Sequence, residues 1–298
     1  MSKKVFAAKV SIFSNTFLIL IKLIMGFMTG SVSIISEALH STVDLVASIV
    51  AFFSVKISDL PPDENHQFGH DKIENISGVI EAVLIFVASF FIIWEAVRKI
   101  IHGGEIESIG LGFIVMFASA GINFIVSKYL YKVSKEEDSL ALEADALHLK
   151  TDVLTALGVG IGLLAIHITK LNWLDPIIAI VIAIFILKEA FEMLSKAFHP
   201  LLDAKLSDEE IEEIKKAVGQ HNEFYIDFHA LRTRSAGKTK HIDMHLTMCR
   251  NLTVSESHEI CDKIESDIER ALRNTQVLIH VEPCKSVHKP DEKCLNKS

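Results

Sequence analysis

The sequence predicts an α-helical membrane protein: six transmembrane helices followed by a small cytoplasmic α+β domain. Three observations carry that expectation. Of the 298 residues, 50% are hydrophobic and the mean hydropathy is +0.35, more apolar than an ordinary soluble fold. Charge is unevenly spread: 36 of the 68 Lys, Arg, Asp and Glu fall in residues 1–203 and 32 in the much shorter stretch 204–298, so an apolar body precedes a polar tail. Finally, the first two hundred positions hold six windows of mostly apolar residues, each near the 20 or so that a hydrocarbon core of about 30 Å requires.

The windows lie near 8–28, 32–56, 76–97, 108–129, 144–168 and 173–195. The first is introduced by Lys3, Lys4 and Lys9, as a signal peptide would be, but Lys22 interrupts it and no small-residue cleavage site follows, so it reads as a retained helix. With the N-terminus inside, eleven Lys fall on inner ends and loops and only Arg98, Lys99 and Lys170 on outer ones. That asymmetry places both termini in the cytoplasm. In the tail, Ser207 with Glu210 is a capping-box signal for a helix to about Val218, and the apolar spacing of Glu256 to Leu272 suggests a second. Alternating stretches at 224–233, 239–248 and 276–282 read as strands. The order αββαβ gives one sheet covered by two helices. The domain boundaries are then 1–203 for the membrane body and 204–285 for the cytoplasmic domain, with 286–298 a flexible tail.

Several residues do not suit a bilayer. The second window contains Glu37, His40 and Asp44, and the fifth contains Asp145, His148, Lys150 and Asp152. Ionisable groups at that depth mark a pathway or site. The two windows also share a pattern, Glu37-Ala-Leu-His40-x-x-x-Asp44 and Asp145-Ala-Leu-His148-x-x-x-Asp152. A His and an Asp at i and i+4 share one helix face, so two such helices packed together bring two imidazoles and two carboxylates to one point. Four-coordinate ligation by nitrogen and oxygen without thiolate suits Zn²⁺, with Fe²⁺, Co²⁺, Ni²⁺ and Cd²⁺ as competitors. The alternative is a pair of buried His–Asp hydrogen bonds stapling the helices, or a proton relay without metal. Between the second and third windows, Asp63, His66 and His70 could close on one cation or stand as solvated loop residues. In the tail, His241, Asp243 and His245 share a strand face, as do His280 and Glu282, with His229 and His258 nearby.

Other classes fit poorly. A net charge of −8 and no basic block argue against a nucleic-acid partner. There is no nucleophile constellation, Gly-rich phosphate loop or nucleotide fingerprint, which argues against an enzyme and against ATP as the energy source. Cys249, Cys261, Cys284 and Cys294 form no C-x-x-C pair, so neither a disulfide framework nor a cysteine zinc knuckle is signalled, as in a reducing cytosolic tail. A membrane-anchored metal sensor needs no ligands at mid-bilayer. A carrier of organic cations needs an aromatic cavity, whereas Trp94 and Trp173 both fall near outer membrane ends.

The segments SEALHSTVDL, DALHLKTDVL, PPDENHQFGHDK, HALRTRSAGKT, HIDMHLTM and VLIHVEP together resemble the cation diffusion facilitator family, in its bacterial zinc and ferrous-iron efflux branch, over about residues 5–285. The resemblance implies a homodimeric exporter of divalent metal in a bacterial inner membrane, exchanging Zn²⁺ for protons and using no organic cofactor, with Fe²⁺, Cd²⁺ or Co²⁺ as alternative cargo. It implies a transport site at His40, Asp44, His148 and Asp152 and a loop site at Asp63, His66 and His70. It further implies a regulatory zinc site at His229, His245, His258, His280 and Glu282 in a metallochaperone-like domain. Leu147 matches a gate position, and Lys72 and Asp203 match a charge interlock between membrane and tail domains. His40 stands where that branch often has Asp, which leans toward zinc, and Glu282 stands where it has Asp.

Overall fold

The computed structural model describes residues 2–29, 32–102, 111–169 and 173–284, some of them, including Glu37 and His40, by backbone alone. The expected tail 286–298 lies outside the described residues. The chain divides into two compact units, Met1–Phe198 and His199–Ser298.

The first unit consists of α1 (Lys3–Thr29), α2 (Val32–Ser58), α3 (Lys72–His102), α4 (Leu111–Glu137), α5 (Leu140–Thr169) and α6 (Leu174–Phe198). At about 1.5 Å per residue, each is longer than a hydrocarbon core is thick. The helices extend past the apolar windows because polar residues at membrane edges still favour helix; α3 starts at Lys72, four residues before its window. Among the described residues, three helices are long and apolar enough to cross a membrane by length and composition: Lys3–Met28, Lys72–Ile101 and Phe113–Glu137.

Small residues bring these helices close. Ala7, Ala8, Ala141 and Ala146 pack with Leu130, Leu142 and Leu149, and a Cβ on Gly78 of α3 would meet Ala197 Cβ of α6 at 3.1 Å. Where the surrounding solvent is itself apolar, such close packing holds helices together. Outward, Phe13, Phe27, Phe90 and Ile168 are exposed, as lipid-facing side chains are. At the end of the bundle carrying Lys4, polar groups are knitted together. The Lys4 ammonium, with 3% of its side chain exposed, reaches Asp59 and Glu74, each at 2.8 Å. Ser58 and Ser139 donate to the two oxygens of Glu74 at 2.7 and 2.6 Å. One buried cation thus ties α1 to the end of α2 and the start of α3.

In the second unit a single 3₁₀ turn, His199–Leu202, leads to α7 (Asp208–Gly219), β1 (Asp227–Ala236), β2 (Thr239–Met248), α8 (Val254–Ala271) and β3 (Thr275–Pro283). The sheet order is β1-β2-β3, with β1 antiparallel and β3 parallel to β2. Both helices begin at full capping boxes, Ser207 with Glu210 and Thr253 with Glu256. The second explains why α8 starts two residues earlier than its apolar spacing suggests. Ile242, Met244, Leu246 and Met248 of β2 point into a core with Ile214, Ile260, Ile264 and Ile268 of the two helices. The opposite sheet face, bearing His241, Asp243 and His245, points away from that core. Strand β1 runs three residues later than expected because Phe224 closes a turn on His221. Cys261 and Cys284 are buried free thiols.

Candidate metal centres

On α2 and α5 the shared i, i+4 pattern does what helix geometry requires. Asp44, His148 and Asp152 converge so that one ligand atom from each lies within 4.8 Å of the others. His148 Nε2 is 3.0 Å from Asp44 Oδ1. The other ring nitrogen, Nδ1, is buried without a hydrogen-bond partner among the described residues. His40 lies one turn before Asp44 on α2, and its side chain lies outside the described residues. Asn123 of α4 donates from Nδ2 to Asp152 Oδ2 at 3.2 Å. Asn15 of α1 donates to the Asp44 carbonyl at 3.4 Å and to Ser48 at 2.7 Å.

Asp44 and Asp152 line a cavity of about 550 Å³, together with Asn123, Lys22, Glu95 and Lys99. Lys22, Glu95 and Lys99 sit near the C-terminal ends of α1 and α3, so the cavity leads away from the end closed by Lys4. Leu147, beside His148, packs against two apolar clusters, one around Met193 and one around Ile186, as a hydrophobic seal would.

The loop between α2 and α3 is folded around one carboxylate. Asp63 Oδ1 accepts from the amides of Asn65 at 2.9 Å and His66 at 2.6 Å, and Gly69, at φ +86°, supplies the left-handed residue the turn needs. The His66 amide above all holds the Asp63 carboxyl below the usual carboxylate range. His66 Nδ1 stands 3.2 Å from Asp63 Oδ1 and His70 Nε2 3.4 Å from Oδ2. All three expected residues are therefore together, with an anion poised between two imidazoles.

In the tail, strand register builds the cluster. His229 pairs with His245, and His245 with His280, so three histidines stand abreast with ring centroids 5.4 and 4.8 Å apart. Glu282 approaches His245 at 3.1 Å and His229 at 3.6 Å. His229, His245 and Glu282 form the third group able to hold a metal, with His280 Nε2 3.9 Å from Glu282. A bulge makes this possible. Register shifts between His229 and Arg232, where Ala230 takes φ +52°. The extra residue puts His229 on the same face as Arg232 despite the odd spacing. His258 is not brought in: it lies on α8, 74% exposed, beside Asp262 at 3.6 Å. The helix covers the core face and the histidine row occupies the other, so within one chain the two are separated by the sheet. Asp203 is 3.3 Å from Arg234 in its own unit; Lys72 opens α3 in the other.

Comparison with known proteins agrees with this layout. Residues 8–202 match the cation efflux transmembrane domain, and residues 206–284 the cytoplasmic domain of cation efflux proteins. An uncharacterized transporter of Synechocystis is 34% identical over 268 residues, covering 89% of this chain and 86% of its own. The cation-efflux pump FieF of Escherichia coli is 33% identical over 272 residues (91% and 89%), and that of Shewanella oneidensis 28% identical over 279 residues (93% of each). The chain belongs to the cation efflux family, the cation diffusion facilitators: it is a membrane-spanning cation efflux transporter.

Proposed function

We propose that the chain exports cytosolic Zn²⁺ in exchange for protons, binding the metal at His40, Asp44, His148 and Asp152. The observation that carries this reading is the convergence of Asp44, His148 and Asp152 at the head of a cavity inside the helical unit. Two carboxylates neutralise a dication in a low-dielectric setting, and imidazole nitrogen with carboxylate oxygen is a zinc-compatible donor set. Fe²⁺, Cd²⁺ and Co²⁺ suit the same donors less selectively.

Imidazole binds metal when neutral and carboxylate when ionised, so protons and metal compete for the site. That competition supplies release on the proton-rich side. Closure around Lys4 at one end and the cavity at the other correspond to a state open to the outer face. Exchange with a state open to the cytoplasm completes the cycle, each ligand shifting the balance by its differential affinity. The chain works as a homodimer with both termini in the cytoplasm of a bacterial cell, its inner membrane being the seat. Zinc at the tail cluster is a regulatory ligand. His258, remote from that cluster in its own chain, would join it only from a second copy. The loop triad is an entry site. Asp44→Ala abolishes metal-stimulated flux in this account; a fully active Asp44→Ala protein would refute the site.

A further inference from the structure

We propose that Glu81 and Asp145 form a proton-carrying site in the membrane unit, separate from the metal ligands. Glu81, on α3, is 0% exposed, and neither carboxyl oxygen has a hydrogen-bond partner among the described residues. Asp145, on α5 and also 0% exposed, accepts from Ser48 Oγ at 3.0 Å through Oδ1, while Oδ2 has no partner. Helix α3 packs against α2, α5 and α6. Among the described residues, Glu81 interacts with the charge of Asp145, and Asp145 also interacts with Ser11, His148 and Asp44. Among the described residues, no lysine or arginine offsets Glu81.

An ionised carboxylate with neither water nor donor nor cation is unstable in a low-dielectric interior. Two buried carboxyls on packed helices, each with an oxygen that no donor reaches, are stable only if a proton is held between them. A divalent metal is the poorer occupant, because neither residue belongs to any of the metal-capable groups among the described residues. The pair is nevertheless wired to the metal site. Ser48 bonds Asp145, Asn15 bonds Ser48 at 2.7 Å, and Asn15 also bonds the Asp44 carbonyl. When a dication settles between Asp44, His148 and Asp152, its field favours the ionised pair. The O–H bond of the Glu81 acid then breaks, the electron pair stays on oxygen, and the proton passes to water. This site rests on the antiport reading and deepens it, since part of the coupling then lies outside the metal ligands.

The test is zinc-induced proton release in weakly buffered detergent solution, comparing the full chain with Glu81→Gln, whose amide imitates the neutral acid in shape. Zinc affinity is measured alongside, and protons displaced at the loop and tail clusters cancel in the comparison. The expected result is nearly unchanged zinc binding with about one proton fewer released per zinc. Zinc-induced difference infrared spectra of the wild type should lose the carbonyl band of a protonated carboxylic acid, a loss missing from Glu81→Gln and reproduced by Asp145→Asn as a weakened or shifted band. An identical proton count and an identical band in Glu81→Gln would overturn the site while leaving antiport standing. A wild type that binds zinc and releases no proton would overturn both.

Discussion

Asp44, His148 and Asp152 form a site only if each is held in one rotamer, and Asn123 supplies such support by donating to Asp152 at 3.2 Å. Groups that orient a ligand are typically worth 10- to 100-fold in metal affinity. Asn123→Ala is therefore expected to weaken zinc binding by roughly that factor without unfolding the protein, as read by titration calorimetry; unchanged affinity would remove Asn123 from the site. The histidines and aspartates were legible in the sequence because one pattern occurs twice at helical spacing. Asn123 and Glu81 were not singled out, although a polar residue inside an apolar span is a signal that both carry. A second residue-scale prediction concerns Cys261, whose thiol is pushed up to about 11, first by burial and then by Glu265 and Asp262. The thiolate is the reactive form. Alkylation of Cys261 should be negligible at neutral pH in the folded protein, quicken as pH rises toward that value, and become rapid on denaturation; fast labelling at neutral pH would contradict the burial.

Among the elements, helix ends and strand registers are the features on which function depends. The Thr253 and Glu256 capping box fixes the start of α8, and Thr253→Ala should cost about 1 kcal/mol, seen as an earlier unfolding transition of the tail. Lys4 is a stronger case. Truncating it to Ala leaves Glu74 and its hydroxyl partners buried without a cation, and removal of one member of a buried pair costs on the order of 3 kcal/mol. Lys4→Ala should melt earlier in detergent and expose cysteines placed near residue 58 to labelling; an unaltered melting curve would show that the Lys4 cluster does not hold that end shut. Sequence periodicity gave both tail helices and all three strands to within a few residues. It did not give the bulge at Ala230, because a period-two reading puts His229 on the opposite face from Arg232, and only the inserted residue reconciles them. His258 shows the converse limit: a histidine nearby in sequence lands on the covered side of the sheet, and no spacing rule reveals which side a helix will cover.

For the whole molecule, the division into an apolar helical unit and a polar αββαβ unit followed directly from the charge distribution, and both family domains span it. What composition could not yield is the closure at Lys4 and the cavity beyond it, since these depend on how six helices pack. If tail metal regulates transport through the dimer, a chain lacking residues 204–298 should lose its dimeric state and its metal dependence together. The central claim is proton-coupled zinc export through Asp44, His148 and Asp152. It is tested most directly by zinc uptake into proteoliposomes, with and without an imposed pH gradient, comparing the native chain with Asp152→Ala. The account predicts gradient-dependent zinc flux in the native chain and none above background in Asp152→Ala. Equal flux in the two proteins, or native zinc flux indifferent to the pH gradient, would contradict it.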